Sequence, residues 1–572
     1  MQNNKLDREL IPIFYIVGRM SFSKLFFIAV LSSAVLFIQC EKKTPAESNQ
    51  VVIGISADVQ TFNPLFAFSV DEGSITELLY LGLFDFRWDE ENGDLKSYPM
   101  LAEHWEWAKD SSSIKIFLRD DVYWTDGEQL TTDDVILSFD LFSDPEVNSR
   151  LYGTFRNMYT DESNHIDIKK SFKEISKFAL TVYFPDNSKP KLNEMSIPIL
   201  PTHIYGKIKR DELNTSETNF NPVSNGPFKF LRWNRNQNIT LTANTKSFLY
   251  KPENISELIF KIIPDYTSRT MQINKGEIDL MELVKTEDIS DIEKNQSFNF
   301  VSVVGREYDY IGWNNIDLES LSKKNKIEPH KLFGNKNVRI ALSHAINSQE
   351  ILEEYLLNYG EIAVTPVSKI FKKYYNPDIK LYDYNIDKAK KIFAAEGWRD
   401  TNNNGTLDKD NTEFRFTLYF PSGNPLRNYA STIIKNNLAS VGIEMKIVNL
   451  EMGSFIDNLY EKEMDAWMAA WYIPIPVELK PYWYSDLEMT PLNFVSYQNK
   501  QIDTIIDELE QKISDERKKE LYFKFQEIIH DDQPVTFLYW IPNITVYNKR
   551  IKNIHITPLG SITHCWEWKI SD

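Results

Sequence analysis

Residues 113–142 constrain the fold more tightly than any other stretch of the chain. Residues 113–119 read as a strand, and Thr125-Asp126-Gly127 is a turn signal. Thr131-Thr132-Asp133-Asp134 then makes an N-cap cluster in front of an apolar-periodic helix over 135–142. The acidic residues of such a strand–turn–helix element are expected to hold the fold, so Asp126, Asp133 and Asp134 are not read as chemical groups. The same mixture recurs along the chain. Residues 51–57, 179–184, 238–242, 257–263 and 443–448 read as strands. Residues 387–396 place Ala389, Ile392 and Phe393 on one helical face and stop at Gly397; residues 429–441 do the same with Ile433, Ile434, Leu438 and Val441 and stop at Gly442. Residues 501–514 and 516–530 read as two more amphipathic helices. Strands mixed with helices over this length predict α/β layers, not a sandwich or a bundle.

The chain has 572 residues, room for about four domain-sized units or fewer, larger ones. Apolar residues make up 42% and aromatics 13%, which excludes a disordered chain. The formal net charge of -18 argues against broad nucleic-acid binding, because phosphates need a positive field. Two cysteines, Cys40 and Cys565, cannot build a disulfide framework or an all-thiolate zinc site. The eight histidines are scattered without metal-ligand spacing. Asp400-Thr401-Asn402-Asn403-Asn404-Gly405 has the opening of a calcium loop, but position 12 is Asn411 where a bidentate Glu is needed, so it is read as a turn.

Residues 25–38, LFFIAVLSSAVLFI, are 14 uncharged residues behind Arg19 and Lys24. That is short for a spanning helix and fits a signal-peptide core of roughly 7–15 residues. Met20 opens a compact signal by itself and reads as an alternative start. Residues 1–40 are therefore expected to be a signal peptide and 41–50 a flexible tether. The run ending at Cys40 resembles a bacterial lipoprotein signal, with Phe37 and Gln39 departing from its usual box. That resemblance implies acylation of Cys40 and a lipid anchor.

Several segments in order resemble one family. Pro99-Met100-Leu101-Ala102-Glu103-His104-Trp105 matches its "P-x-L-A-x-x-W" pattern, and residues 118–135 match its signature "L-R-x-x-V-x-[FW]-x-D-G-x-x-[LF]-T-A-x-D-V". Leu200-Pro201-Thr202-His203, Asn225-Gly226-Pro227-Phe228, Gly276-Glu277-Ile278-Asp279, Val338-Arg339-Ile340-Ala341-Leu342 and Asn493-Phe494-Val495-Ser496-Tyr497 follow at the expected distances. The chain resembles the family 5 extracellular solute-binding proteins, the oligopeptide, dipeptide and nickel-binding group of ABC importers. The resemblance implies an α/β, two-lobed periplasmic-binding-protein-like fold of class II, in its large three-domain variant, with mixed sheets and a hinge. Lobe I is expected over 51–305 with an inserted subdomain at about 84–200, lobe II over 306–536, and a C-terminal return to lobe I over 537–572. It further implies an exported, monomeric protein of the cell envelope (the periplasm) that closes on a peptide or similar small solute and hands it to an ABC permease, without enzyme activity or cofactor.

Trp471, Tyr472, Phe62, Asn63, Asn225, Gly226 and Tyr484 are the candidate ligand contacts. In similar peptide binders an Asp about three residues after the Trp pairs with the peptide α-amine; here that position is Pro474, and the first carboxylate is Glu478. The aromatic residues instead favour flat or apolar ligand parts. A sugar, a metal chelate, or a host- or matrix-binding role for a surface lipoprotein are the alternatives. No Gly-x-Ser-x-Gly, His-Glu-x-x-His or phosphate loop marks an enzyme.

Overall fold

The computed structural model describes residues 49–571 apart from 187, 318 and 321–325. Cys40, the leader and the tether up to residue 48 lie outside the described residues.

The first strand, β1 (Gln50–Ile55), buries Val51, Ile53 and Ile55 in strict alternation. A hairpin follows, β2 (Phe84–Asp89) and β3 (Asp94–Pro99). Next come β4 (Ala102–Trp107), β5 (Ser113–Leu118), β6 (Phe172–Ser176) and β7 (Ala179–Tyr183), an antiparallel sheet in the order β4-β5-β7-β6. The helix Thr132–Ser143 lies between its halves. Asp134 holds it in place. Its carboxylate accepts from the backbone of Thr131 (2.8 Å) and Thr202 (2.7 Å) and from the Trp124 indole (3.4 Å), so its role is structural, as its capping position implies.

Apart from a short pair, Ile551–Lys552 with Lys569–Ile570, most of the remaining strands build one large mixed sheet. They are β8 (Phe228–Asn234), β9 (Asn238–Ala243), β10 (Glu257–Ile262), β11 (Leu280–Met281), β12 (Phe298–Trp313), β13 (Glu361–Ile362), a small hairpin apart from the sheet formed by β14 (Asp408–Lys409) and β15 (Thr412–Glu413), then β16 (Arg415–Pro421), β17 (Glu444–Leu450), β18 (Ala466–Tyr472) and β19 (Val535–Asn548). The order is β17-β16-β18-β12-β19-β11-β1-β10-β9-β8, with β13 on β19. At one end β1 runs parallel to β10 and β11; at the other β16 runs parallel to β17 and β18. Among the described residues only β12 and β19, antiparallel to each other, run through both ends.

Separate cores confirm two lobes. One core packs β1 and β8–β10 with the β4–β7 sheet and the helix Val70–Leu79, and a smaller one surrounds Ile273, Ile278 and Met281. Two others lie on opposite faces of β18 and the second half of β12. Ile311, Trp313, Ala466 and Met468 face one of them; Tyr308, Tyr310, Trp467 and Ala469 face the other. The helices Ile386–Ala395, Pro425–Ala439, Lys500–Leu509 and Asp515–Asp532 cover these faces. The third helix stops short of the expected residue 514 because Ser514 caps the next one, accepting from Arg517 N at 3.2 Å. Cys565 is a free, fully buried thiol, and burial pushes its pKa up.

Candidate functional site

Strand direction fixes where a ligand can sit. The first half of β12 runs in the same direction as β1 and β11, toward the second lobe, while β18 and its parallel neighbours run back. The carboxyl ends of the parallel strands of both lobes therefore face the same crossing point, and in open α/β sheets ligands bind in the crevice outside those ends. At that point β12 is irregular. Pairing with β19 shifts between Val304 and Tyr308, leaving Gly305, Arg306 and Glu307 out of the regular ladder. A Cβ on Gly305 would lie 1.9 Å from Ile541 O, so only glycine lets the two crossing strands pass this closely.

On the second lobe, Trp471 and Tyr472 end β18 and point to opposite faces. Trp471 shares a face with Trp467 and Ala469. Its indole stacks with Phe494 (5.5 Å between centroids, 12°), lies nearly parallel to Tyr310 (6.3 Å, 8°) and meets Tyr482 edge-on (4.6 Å). Most of its surface is thus taken by the core. Tyr472 is 56% exposed and stands opposite Glu307 in the ladder. The Arg306 guanidinium lies over its ring at 4.4 Å and donates to its hydroxyl. Desolvation holds the Arg306 pKa below the usual guanidinium range, and its Nε is buried without a partner.

On the first lobe, the carboxyl end of β11 leads into Glu282 and Leu283, and Leu283 is 72% exposed. Val70 (82% exposed) and Phe68 (71%) open the helix Val70–Leu79. Asp71 on that helix feels Glu282: burial first, then the Glu282 charge, pushes its carboxyl up to about 6, against the opposing pull of Arg269. The crevice therefore offers three large apolar side chains and a like-charged carboxylate pair on one side, and a phenol ring with an arginine on the other.

The remaining sequence candidates are framework rather than surface. Phe62 is fully buried, 5.0 Å from the rings of both Phe230 and Trp233. Asn63 donates to Asn219 Oδ1 (2.8 Å) and accepts from Leu65 N (3.1 Å). Asn225 Oδ1 accepts from Leu81 N (2.7 Å), and Gly226 N donates to Leu79 O (2.7 Å). These residues bracket the helix whose first turn carries Val70 and Asp71. Tyr484 donates its hydroxyl to Asp507 (3.0 Å) on the helix Lys500–Leu509. Residues 400–408 form a turn whose carboxylates accept from their own backbone, Asp400 from Asn404 and Gly405 and Asp408 from Thr401. Arg306, Glu307, Phe68, Val70 and Leu283 were not among the sequence candidates.

The lobes also touch directly. The hairpin β2–β3 meets the segment around Phe371: Trp88 lies 6.1 Å from the Phe371 ring, and Lys373 N donates to Asn92 O at 3.0 Å. Lys189 donates to Gln511 Oε1 (3.0 Å) and Lys512 to Ser111 Oγ (2.9 Å).

Two lobes joined by two crossing strands, with exposed aromatic and charged groups at the crossing, define the fold of a two-lobed solute-binding protein. The chain belongs to the bacterial extracellular solute-binding proteins, family 5, whose middle region it matches over residues 96–487. It is 27% identical over 529 residues to the oligopeptide-binding protein AppA of Bacillus subtilis, covering 92% of each chain. The solved structure of that AppA, in complex with a nonapeptide, superimposes with a TM-score of 0.70 at 26% identity, over 91% of this chain and 99% of that one. NikZ of Campylobacter jejuni, solved with Ni(L-His), shares the fold with a TM-score of 0.70 at 24% identity, over 91% of this chain and all of that one. Among the described residues no helix is long and apolar enough to cross a membrane.

Proposed function

We propose that this chain is the substrate-binding protein of an ABC importer, capturing peptides between two closing lobes and delivering them to a membrane permease. The observation that carries this reading is the likeness to a relative solved with a nonapeptide, at 26% identity over nearly the whole of both chains. The exposed Phe68, Val70, Leu283 and Tyr472 suit a ligand with apolar side chains and a polar backbone. Lobe I spans 51–305 with its inserted subdomain at about 84–200, and lobe II begins at 306. The C-terminal return to lobe I covers 537–572, and Ile541 within it lies opposite Gly305. The mature protein begins at Cys40, acylated and anchored to a membrane of the cell envelope, and works as a monomer.

Ligand-dependent thermal unfolding of the chain from Glu41 onward tests the reading. Di- to hexapeptides at concentrations well above their Kd are expected to raise the Tm by mass action. A shift with sugars or nickel chelates and none with peptides would move the chain to a different branch of the family.

A further inference from the structure

The hinge carries an unmatched carboxylate. Glu307 lies on the face of β12 that holds Asp309, Ile311 and Trp313, and its ladder partner is Tyr472. One step deeper on that face, Asp309 is fully buried and answered by Arg427, which donates to it at 2.7 and 3.2 Å, with the Tyr539 hydroxyl at 3.4 Å. Deeper still the face is closed by Ile311, Trp313, Ala466 and Met468. Glu307, one step outward at the mouth, is half-buried and has no hydrogen bond or ion pair among the described residues. Its own neighbours cannot supply the counter-charge. Arg427 is engaged with Asp309, and Arg306, the adjacent residue, is turned to Tyr472. The charged groups around Glu307 are Asp309, which raises its pKa further, and Arg427, which lowers it; desolvation is the largest effect, and the pKa stands above the usual carboxylate range.

A half-buried carboxylate at the mouth of the crossing, with no protein cation bonded to it, gains from a cation arriving from outside. Here it sits in the ladder irregularity between the lobes, at the carboxyl ends of the parallel strands, beside an exposed aromatic ring. We propose that Glu307 is the binding residue for a primary ammonium group of the ligand. On the peptide reading, on which this inference rests, that group is the ligand's N-terminus. The ammonium donates to the Glu307 carboxylate, while the Tyr472 ring beside it keeps Arg306.

The test uses the full chain. Peptide pools are retained on it and identified by mass spectrometry, and one retained sequence is then titrated in free and N-acetylated forms. The wild-type chain is expected to prefer the free form. Glu307→Gln is expected to weaken that form by roughly tenfold or more, the range for a charge-assisted bond, and to leave the acetylated form unchanged. Glu307→Asp, with the charge withdrawn by one methylene, is expected to fall between. The Tm of Glu307→Gln is expected to equal or exceed that of the wild type, since it removes an unpaired desolvated charge. Equal losses for both forms, or no loss for either, would overturn the assignment while leaving peptide binding intact. If the wild-type chain retains no peptide at all, the peptide reading fails first and the ammonium assignment with it.

Discussion

Asp309 and Arg427 show how the hinge region is held at the scale of single residues. The pair is buried, bidentate in Arg427 and supported by Tyr539, so removing one member strands the other. Asp309→Ala is expected to cost about 3–5 kcal/mol of stability, measured by denaturant unfolding, whereas Asp309→Leu with Arg427→Met is expected to recover most of it. Asp71 has the opposite electrostatics. Its folded-state pKa of about 6 exceeds the ordinary 3.8, so the folded chain binds the proton first. The resulting penalty is present above the folded value and is relieved as pH falls through it toward 3.8. Asp71→Asn is therefore expected to melt higher than the wild type at neutral pH, with the difference vanishing on acidification; a constant difference would contradict the burial argument. Asp134 and Glu307 mark how far the sequence reaches at this scale. The first announces its role by its position in a capping cluster. The second depends on which charges the fold leaves without a partner, and that is decided by residues more than a hundred positions away.

Elements with one buried face were legible. β1, β5 and β10 alternate, and the helices Ile386–Ala395 and Pro425–Ala439 fall where apolar spacing and the following glycines put them, within a few residues at each end. The hinge strands carry no such signal. From Tyr308 to Trp313, β12 is buried on both faces, so its sequence has no period of two to read. β19 is likewise continuously buried from Val535 to Trp540. The aromatic end of β18 was visible, but not that Trp471 turns to the core and Tyr472 to the surface. Exposure of Phe68, Val70 and Leu283 was equally hidden, because an apolar residue looks the same in sequence whether the fold covers it or not. Gly305 offers a direct test at this scale. With Ile541 O 1.9 Å from where a methyl carbon would stand, Gly305→Ala must push the crossing strands apart. It is expected to cost about 1–3 kcal/mol and to weaken ligand binding, although the residue presents no side chain to the ligand. Unchanged stability would mean that the strands pass each other more loosely than this geometry requires.

At the scale of the whole molecule, two parallel-strand clusters open toward one another and are tied by two crossing strands. A ligand that touches both clusters gains contacts only when they close, so it shifts the balance toward the closed form by its differential affinity. The contacts of Trp88 with Phe371 and of Lys373 with Asn92 belong to the form in which the lobes meet. Small-angle X-ray scattering of the chain from Glu41 onward, with and without a saturating retained peptide, tests this account most directly. The account predicts a smaller radius of gyration when peptide is bound. A radius that stays the same with peptide bound, or that falls only with a sugar or a metal chelate, would contradict it.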